Sequence, residues 1–230
     1  MLLWLIRLVL MGAFFGGVLL FQSQNVAPSA NLRANRSIPL IDQIIRSYAE
    51  AFDNNLQNAV PYKNHCYRVY NLAVNAIPRK LSERELELLA IATGFHDLGV
   101  FTHKTLDYLG PSEEEAAKWM KANGYTRDNE LETVKLMIEY HHKLSEFKYD
   151  SSLSSEANAN SKTTEEMVER LRRGDWIDVT FGVRSFGMDP GEIKTLREPF
   201  PQAGFALTLI KAGLSWVPFN LLNPLPFVRF

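Results

Sequence analysis

From Ser37 onward the apolar positions of the chain recur at spacings of three and four. Ile41, Ile44, Ile45, Tyr48 and Phe52 make one such stripe, the mark of an amphipathic helix. A second helix is predicted from Pro61, a good first-turn residue, to near Pro78. "LSERE" then opens a third with a capping box at Ser82, and Gly99 is placed to end it. "PSEEEAAKWMKANGY" predicts a further capped helix stopping at Gly124, and "RDNELETVKLMIEYHHK" and "TTEEMVERLRRGDWIDVTF" predict two more. No alternating run of useful length interrupts them, so the pattern predicts an all-α domain of six to eight helices.

The ends of the chain are patterned differently. The first 21 residues carry a single charge, Arg7. A helix of that length spans about 31 Å, enough to cross the hydrocarbon core of a bilayer. Residues 1–22 are therefore expected to be a hydrophobic helix acting as a transmembrane anchor, or a signal segment cut near "VAPSA". Arg33, Arg36 and Arg46 outnumber Arg7, which by the positive-inside tendency makes this a single-pass membrane protein with its domain in the cytoplasm. Cleavage would instead make it secreted or periplasmic. A linker over 23–37 leads to a domain over 38–200, whose polar stretch at 150–162, "DSSLSSEANANSK", reads as a flexible insert. Residues 201–230 predict a short helix to about Trp216 and then a proline-rich apolar tail.

Composition narrows the partners. With 25 basic and 26 acidic residues, no global field recruits nucleic acid, and none is expected as a partner. The single cysteine, Cys66, excludes an intramolecular disulfide and a thiolate zinc cage. A length of 230 residues favours one domain with appendages and hence one site.

That site is sought among the histidines, all five of which lie between residues 65 and 142. His65 falls on the stripe of Val69 and Leu72. His96 shares the face of Leu89 and Ala92, with Asp97 beside it. Asp175 and Asp178 fall on the stripe of Val168 and Leu171. Three helices thus aim ligand-capable groups inward. A lone inward histidine is more often a satisfied core residue, but buried carboxylates are costly unless a cation compensates them. A divalent metal would compensate all of them together. Imidazole nitrogen with carboxylate oxygen suits Zn, Fe, Mn, Co or Ni. His141 and His142 flank the face of Leu131, Val134 and Ile138, and periodicity does not choose between them. His103, in an expected loop, reads as a surface residue.

The order His65, His96-Asp97, Asp175 resembles the HD superfamily of metal-dependent hydrolases, over about residues 38 to 182. "NHCYRVYNLA" is similar to the first-histidine helix of that family, "FHDLG" to its central motif and "RRGDWID" to the helix bearing the last aspartate. The resemblance implies an HD-type helical bundle whose metal ligands are His65, His96, Asp97 and Asp175. One or two divalent ions per chain are expected, among Mn, Fe, Zn, Co, Ni and Mg. It also implies hydrolysis of a small phosphomono- or phosphodiester through metal-activated water.

In that chemistry Asp97 and Asp178 are the candidates for taking the water's proton, and His141 and His142 for protonating the leaving group or holding a second metal. Arg68, one turn after His65 on the same side of the helix, is the candidate for binding a substrate anion. "LGPSEEEAAKWMKANGY" followed by "IEYHH" resembles cyanamide hydratase-like members, which leaves hydration of a nitrile-type carbon as an alternative. Two other readings stand beside these. One is a non-catalytic membrane sensor that uses the metal pocket for a ligand. The other is a plain helical scaffold whose inward acids pair with Arg172 or Arg173.

Overall fold

The computed structural model describes residues 27–30, 32–150, 161–205 and 226–229. Its helices are α1 (Pro39–Ser47), α2 (Val60–Asn75), α3 (Glu83–Phe95), α4 (Leu98–Thr102), α5 (Leu109–Ala122), α6 (Asp128–Tyr140), α7 (Ser161–Val179) and α8 (Pro190–Arg197). A 3-10 turn over Ala49–Phe52 follows α1. No strand forms among the described residues, and the expected all-α bundle holds.

The local signals account for several helix ends. At Ser82 the capping box is complete: its side chain accepts from the Glu85 N–H, and the Glu85 carboxylate accepts from the Ser82 N–H at 2.7 Å. Gly124, at φ +84°, ends α5 in a left-handed turn in which the Tyr125 N–H reaches back to the Met120 carbonyl at 2.9 Å. The stripe from Ile41 to Phe52 is not one helix. It breaks at Tyr48, whose ring meets Phe95 edge-on at 5.5 Å and whose hydroxyl donates to Glu115 Oε2 at 3.0 Å.

Gly99 also has a different task from the one expected. The third helix ends at Phe95, and Gly99 lies within α4. A Cβ there would stand 2.5 Å from the Tyr108 carbonyl and 2.9 Å from Ser112 Oγ, so the residue is small to let α4 and the start of α5 touch.

One apolar core joins the helices, with Ile41 and Ile44 of α1, Val69 of α2, Leu89 and Phe95 of α3, Val134 and Ile138 of α6 and Leu171 of α7. Burying each such side chain contributes about 1.5–3 kcal/mol. Gly174 sets how closely α2 and α7 approach: a Cβ on it would lie 2.7 Å from the Val69 carbonyl and 2.8 Å from the Ala73 Cβ. This contact stands one residue from Asp175 and brings that carboxylate up to His65.

The expected membrane placement is corrected. No helix among the described residues is long and apolar enough to cross a membrane. Residues 1–22, on which the anchor or signal reading rested, lie outside the described residues, as do most of the expected insert and the expected helix to Trp216. The end of the expected linker is held in place: the Ser29 N–H donates to Thr195 Oγ1 of α8 at 2.7 Å, and the Asn35 N–H to Asn71 Oδ1 of α2 at 2.6 Å.

Candidate metal centre

Four helices or helix ends converge on one buried point. α2 supplies His65, the end of α3 supplies His96 and Asp97, the end of α6 supplies His141 and His142, and α7 supplies Asp175. His65, His96, His141 and Asp175 have no exposed surface, and Asp97 is 2% exposed.

Each of the three buried histidines is oriented through one ring nitrogen. His65 Nδ1 lies 2.8 Å from Asp178 Oδ2, His96 Nδ1 2.7 Å from the Thr93 carbonyl, and His141 Nδ1 2.6 Å from the Ile138 carbonyl. The two carbonyls can only accept. Asp178 does the same, because Arg68 and Arg197 hold its carboxyl well below the usual range against the effect of burial. The assignment that follows puts a proton on every Nδ1 and aims every Nε2 at the centre, where it can ligate once deprotonated.

Those nitrogens and the carboxylates need a cation. His65 Nε2 and His96 Nε2 are 3.0 Å apart, so either a proton shared between them or a metal ion occupies that gap. Asp175 Oδ1 stands 3.4 Å from His65 Nε2 and 3.7 Å from His96 Nε2, and Asp97 Oδ2 is 3.6 Å from both. Ligands about 2.0–2.2 Å from a common ion stand about 3.0–3.5 Å from one another, so this set has nearly the right edges. The other oxygens of the two carboxylates face a second set. Asp97 Oδ1 is 3.4 Å from His141 Nε2, and Asp175 Oδ2 is 3.2 Å from His142 Nδ1.

Four of these buried atoms have no hydrogen-bond partner: Asp97 Oδ1, His141 Nε2 and both oxygens of Asp175. Leaving one such group unsatisfied costs about 1–3 kcal/mol, more for a charged one. The local field has the same sense. Burial lowers the His65 pKa, but Asp175, Asp178 and Asp97 outweigh it and raise it from 6.5 to about 10. Burial raises Asp97, yet His96, His141 and His65 hold it well below the carboxylate range. His142, by contrast, is pushed down to about 3 by burial and by its neighbour His141. Three overlapping groups can hold a metal: His65, His96 and Asp175; His96, Asp97 and His141; and His141, His142 and Asp175. The donors present fit a divalent ion.

The fold therefore brings together His65, His96, Asp97 and Asp175, and it adds both histidines of the 141–142 pair rather than one. It places the two other expected residues elsewhere. Arg68, expected at a substrate anion, is 1% exposed and has all five donors engaged, by both oxygens of Asp178, the carbonyls of Phe200 and Pro201, and Gln202 Oε1. Asp178, expected among the acid–base groups, accepts from His65, Arg68 and Arg197, so it acts as a buried brace. Arg172 and Arg173 pair with Glu169 and not with the inward acids. His103 lies exposed, beside Thr102.

Other residues at the site carried no sequence signal. Arg197 comes from α8, and Phe205 stacks on His65 with ring centroids 4.2 Å apart. Tyr108 holds its hydroxyl 3.0 Å from His142 Nε2. None falls at a helical spacing from a ligand.

Inward-facing histidines and aspartates on a helical bundle define an all-α domain whose donors can hold a metal. The chain belongs to the HD domain family, whose model matches residues 62–179, just over half of the sequence. HD domains bind divalent metals and are generally metal-dependent hydrolases. No curated protein and no solved structure matches the chain.

Proposed function

We propose that this protein hydrolyses phosphomono- or phosphodiesters with one or two divalent ions held by its His/Asp cluster. The observation that carries the reading is the pair of carboxylates, Asp97 and Asp175, each presenting one oxygen to each of two histidine sets, with three of those four oxygens lacking any hydrogen bond. His65, His96, Asp97 and Asp175 would hold a first ion, and His141 and His142 would join the same carboxylates around a second. When bound, the ions supply Lewis acidity, polarising the phosphoryl group and lowering the pKa of water from 15.7 toward about 7.

The chain's own residues do the rest. Asp178 and the carbonyls of Thr93 and Ile138 hold the three Nδ1 protons and so keep the Nε2 atoms pointed inward. Of the two carboxylates expected to accept the nucleophile's proton, Asp178 has its oxygens engaged, so that role goes to Asp97. Tyr108 stays protonated, because burial and then Asp97 push its pKa well up, and its hydroxyl is available to donate on the His142 side.

Elemental analysis of the purified chain, followed by assays with p-nitrophenyl phosphate, bis(p-nitrophenyl) phosphate and cyanamide, tests the reading. Bound divalent metal and phosphoester turnover are expected, with both lost in Asp97→Ala. Turnover of cyanamide alone, or full metal occupancy in Asp97→Ala, would overturn it.

A further inference from the structure

The metal centre is closed on most sides. His65, His96, His141 and Asp175 are fully buried, and the ring of Phe205 covers His65. His142 differs, with 12% of its side chain exposed. Among the described residues, the centre is therefore most open to an approach beside His142.

Aromatic side chains line that approach. The Phe227 ring lies 5.1 Å from the His142 ring and 5.6 Å from that of Tyr108. Trp176 stands on another side of His142 at 6.1 Å. Phe227 and Trp176 are each only partly buried.

The wall is built into the fold. The Leu144 N–H donates to the Arg229 carbonyl at 2.9 Å, and Arg229 Nε donates to Glu139 Oε1 at 2.7 Å. These bonds tie residues 226–229 to the segment on either side of the His141–His142 pair. Arg184 caps the ring of Trp176 at 4.8 Å and holds it in place. Phe227 also lies outside the family match at 62–179.

We propose that Phe227 is a specificity-determining residue: with Tyr108 and Trp176 it forms an aromatic wall beside His142 that receives a planar aromatic group carried by the phosphoester. The inference rests on the phosphoester reading above. Aromatic rings favour offset-stacked or edge-to-face partners with centroids about 4.5–7 Å apart. The wall's own rings pack on one another at such distances, and the partly buried Phe227 and Trp176 keep some ring surface for a further partner. A ring attached to the phosphoryl group would complete the set while the phosphoryl oxygens face the cluster.

The test uses the full chain loaded with Zn²⁺ and two ligands whose C–P bond resists hydrolysis, phenylphosphonate and methylphosphonate, in calorimetric titrations. The wild type should bind the phenyl ligand about tenfold more tightly. Phe227→Leu, which keeps apolar bulk but loses the ring, should bring the ratio close to one, and Phe227→Tyr should restore it. Intermolecular NOEs from the phenyl protons to the Phe227 ring in the wild-type complex provide a reading independent of any variant.

Equal affinities in the wild type, an unchanged ratio in Phe227→Leu, or missing NOEs would overturn the wall and leave the phosphoester reading standing. Tighter binding of both ligands by Phe227→Leu would show that the ring is a plug, and would overturn it too. If the wild type bound neither ligand, the phosphoester reading itself would fall, and this inference with it.

Discussion

Asp178 Oδ2 accepts the Nδ1 proton of His65 at 2.8 Å, and the same carboxylate is gripped by Arg68 and Arg197. A residue that touches none of the metal-facing atoms thus decides which nitrogen of His65 can serve as a ligand. Asp178→Asn should lower divalent metal affinity about 10–100-fold, measured by competition with a chelating dye. Wild-type affinity would mean that packing alone orients the ring.

Arg68 is the other half of that brace. Removing one partner of a buried ion pair strands the other, so Arg68→Ala should cost about 3–5 kcal/mol in urea unfolding. A change within the error of the measurement would show that Arg197 alone satisfies Asp178.

Gly174 offers a steric test of how the centre is assembled. The added methyl of Gly174→Ala meets the Val69 backbone carbonyl at 2.7 Å, and a backbone atom yields little. α2 and α7 must then separate, at a cost of about 1–3 kcal/mol, and metal affinity should fall with stability because His65 and Asp175 sit on those two helices. Lost stability with wild-type metal affinity would separate the packing from the site.

Metal uptake should release protons. Asp175, Asp178 and Asp97 raise His65 to about 10, so at neutral pH the metal-free ring is charged and must lose a proton before Nε2 can ligate. Apparent affinity should therefore rise with pH between about 6 and 9. Titration calorimetry in buffers of different ionisation enthalpy should give at least about one proton released per ion. No buffer dependence would contradict the assignment of His65.

His141 and His142 separate one metal from two. Replacing either by alanine should reduce the bound metal by about one ion per chain if the second set is occupied, since a lost ligand weakens binding severely. Unchanged stoichiometry with a rate lowered about 10²–10⁴-fold would instead give the residue a proton-transfer role.

Away from the centre, Glu113 of α5 is pushed up from 4.5 to about 8, by burial first and then by the neighbouring carboxylate of Glu139. The folded state binds this proton more tightly than the unfolded chain does. The stabilisation is complete below about pH 4.5 and is lost as pH rises toward about 8. Glu113→Gln should remove that slope and raise the melting temperature at pH 8 relative to the wild type. Parallel melting curves for the two proteins from pH 5 to 9 would refute the coupling.

Sequence periodicity by itself determined the helical class and the inward direction of His65, His96 and Asp175, while local end motifs marked the cap at Ser82 and the stop at Gly124. It could do so because a 3.6-residue repeat ties each side chain's direction to the apolar neighbours on its own helix. It did not separate a glycine needed at a helix end from one needed for close packing, as Gly99 shows, since both uses leave the same letter. The tertiary structure alone decided which atoms meet. It turned Arg68 from an expected substrate contact into a brace for Asp178, gave each of Asp97 and Asp175 two histidine sets to face, admitted both His141 and His142, and drew Arg197, Phe205 and Phe227 in from beyond the matched family region. Those outcomes depend on the distance and rotation between helices far apart in sequence. They are set by contacts such as that of Gly174 on Val69, which no spacing within a single helix encodes.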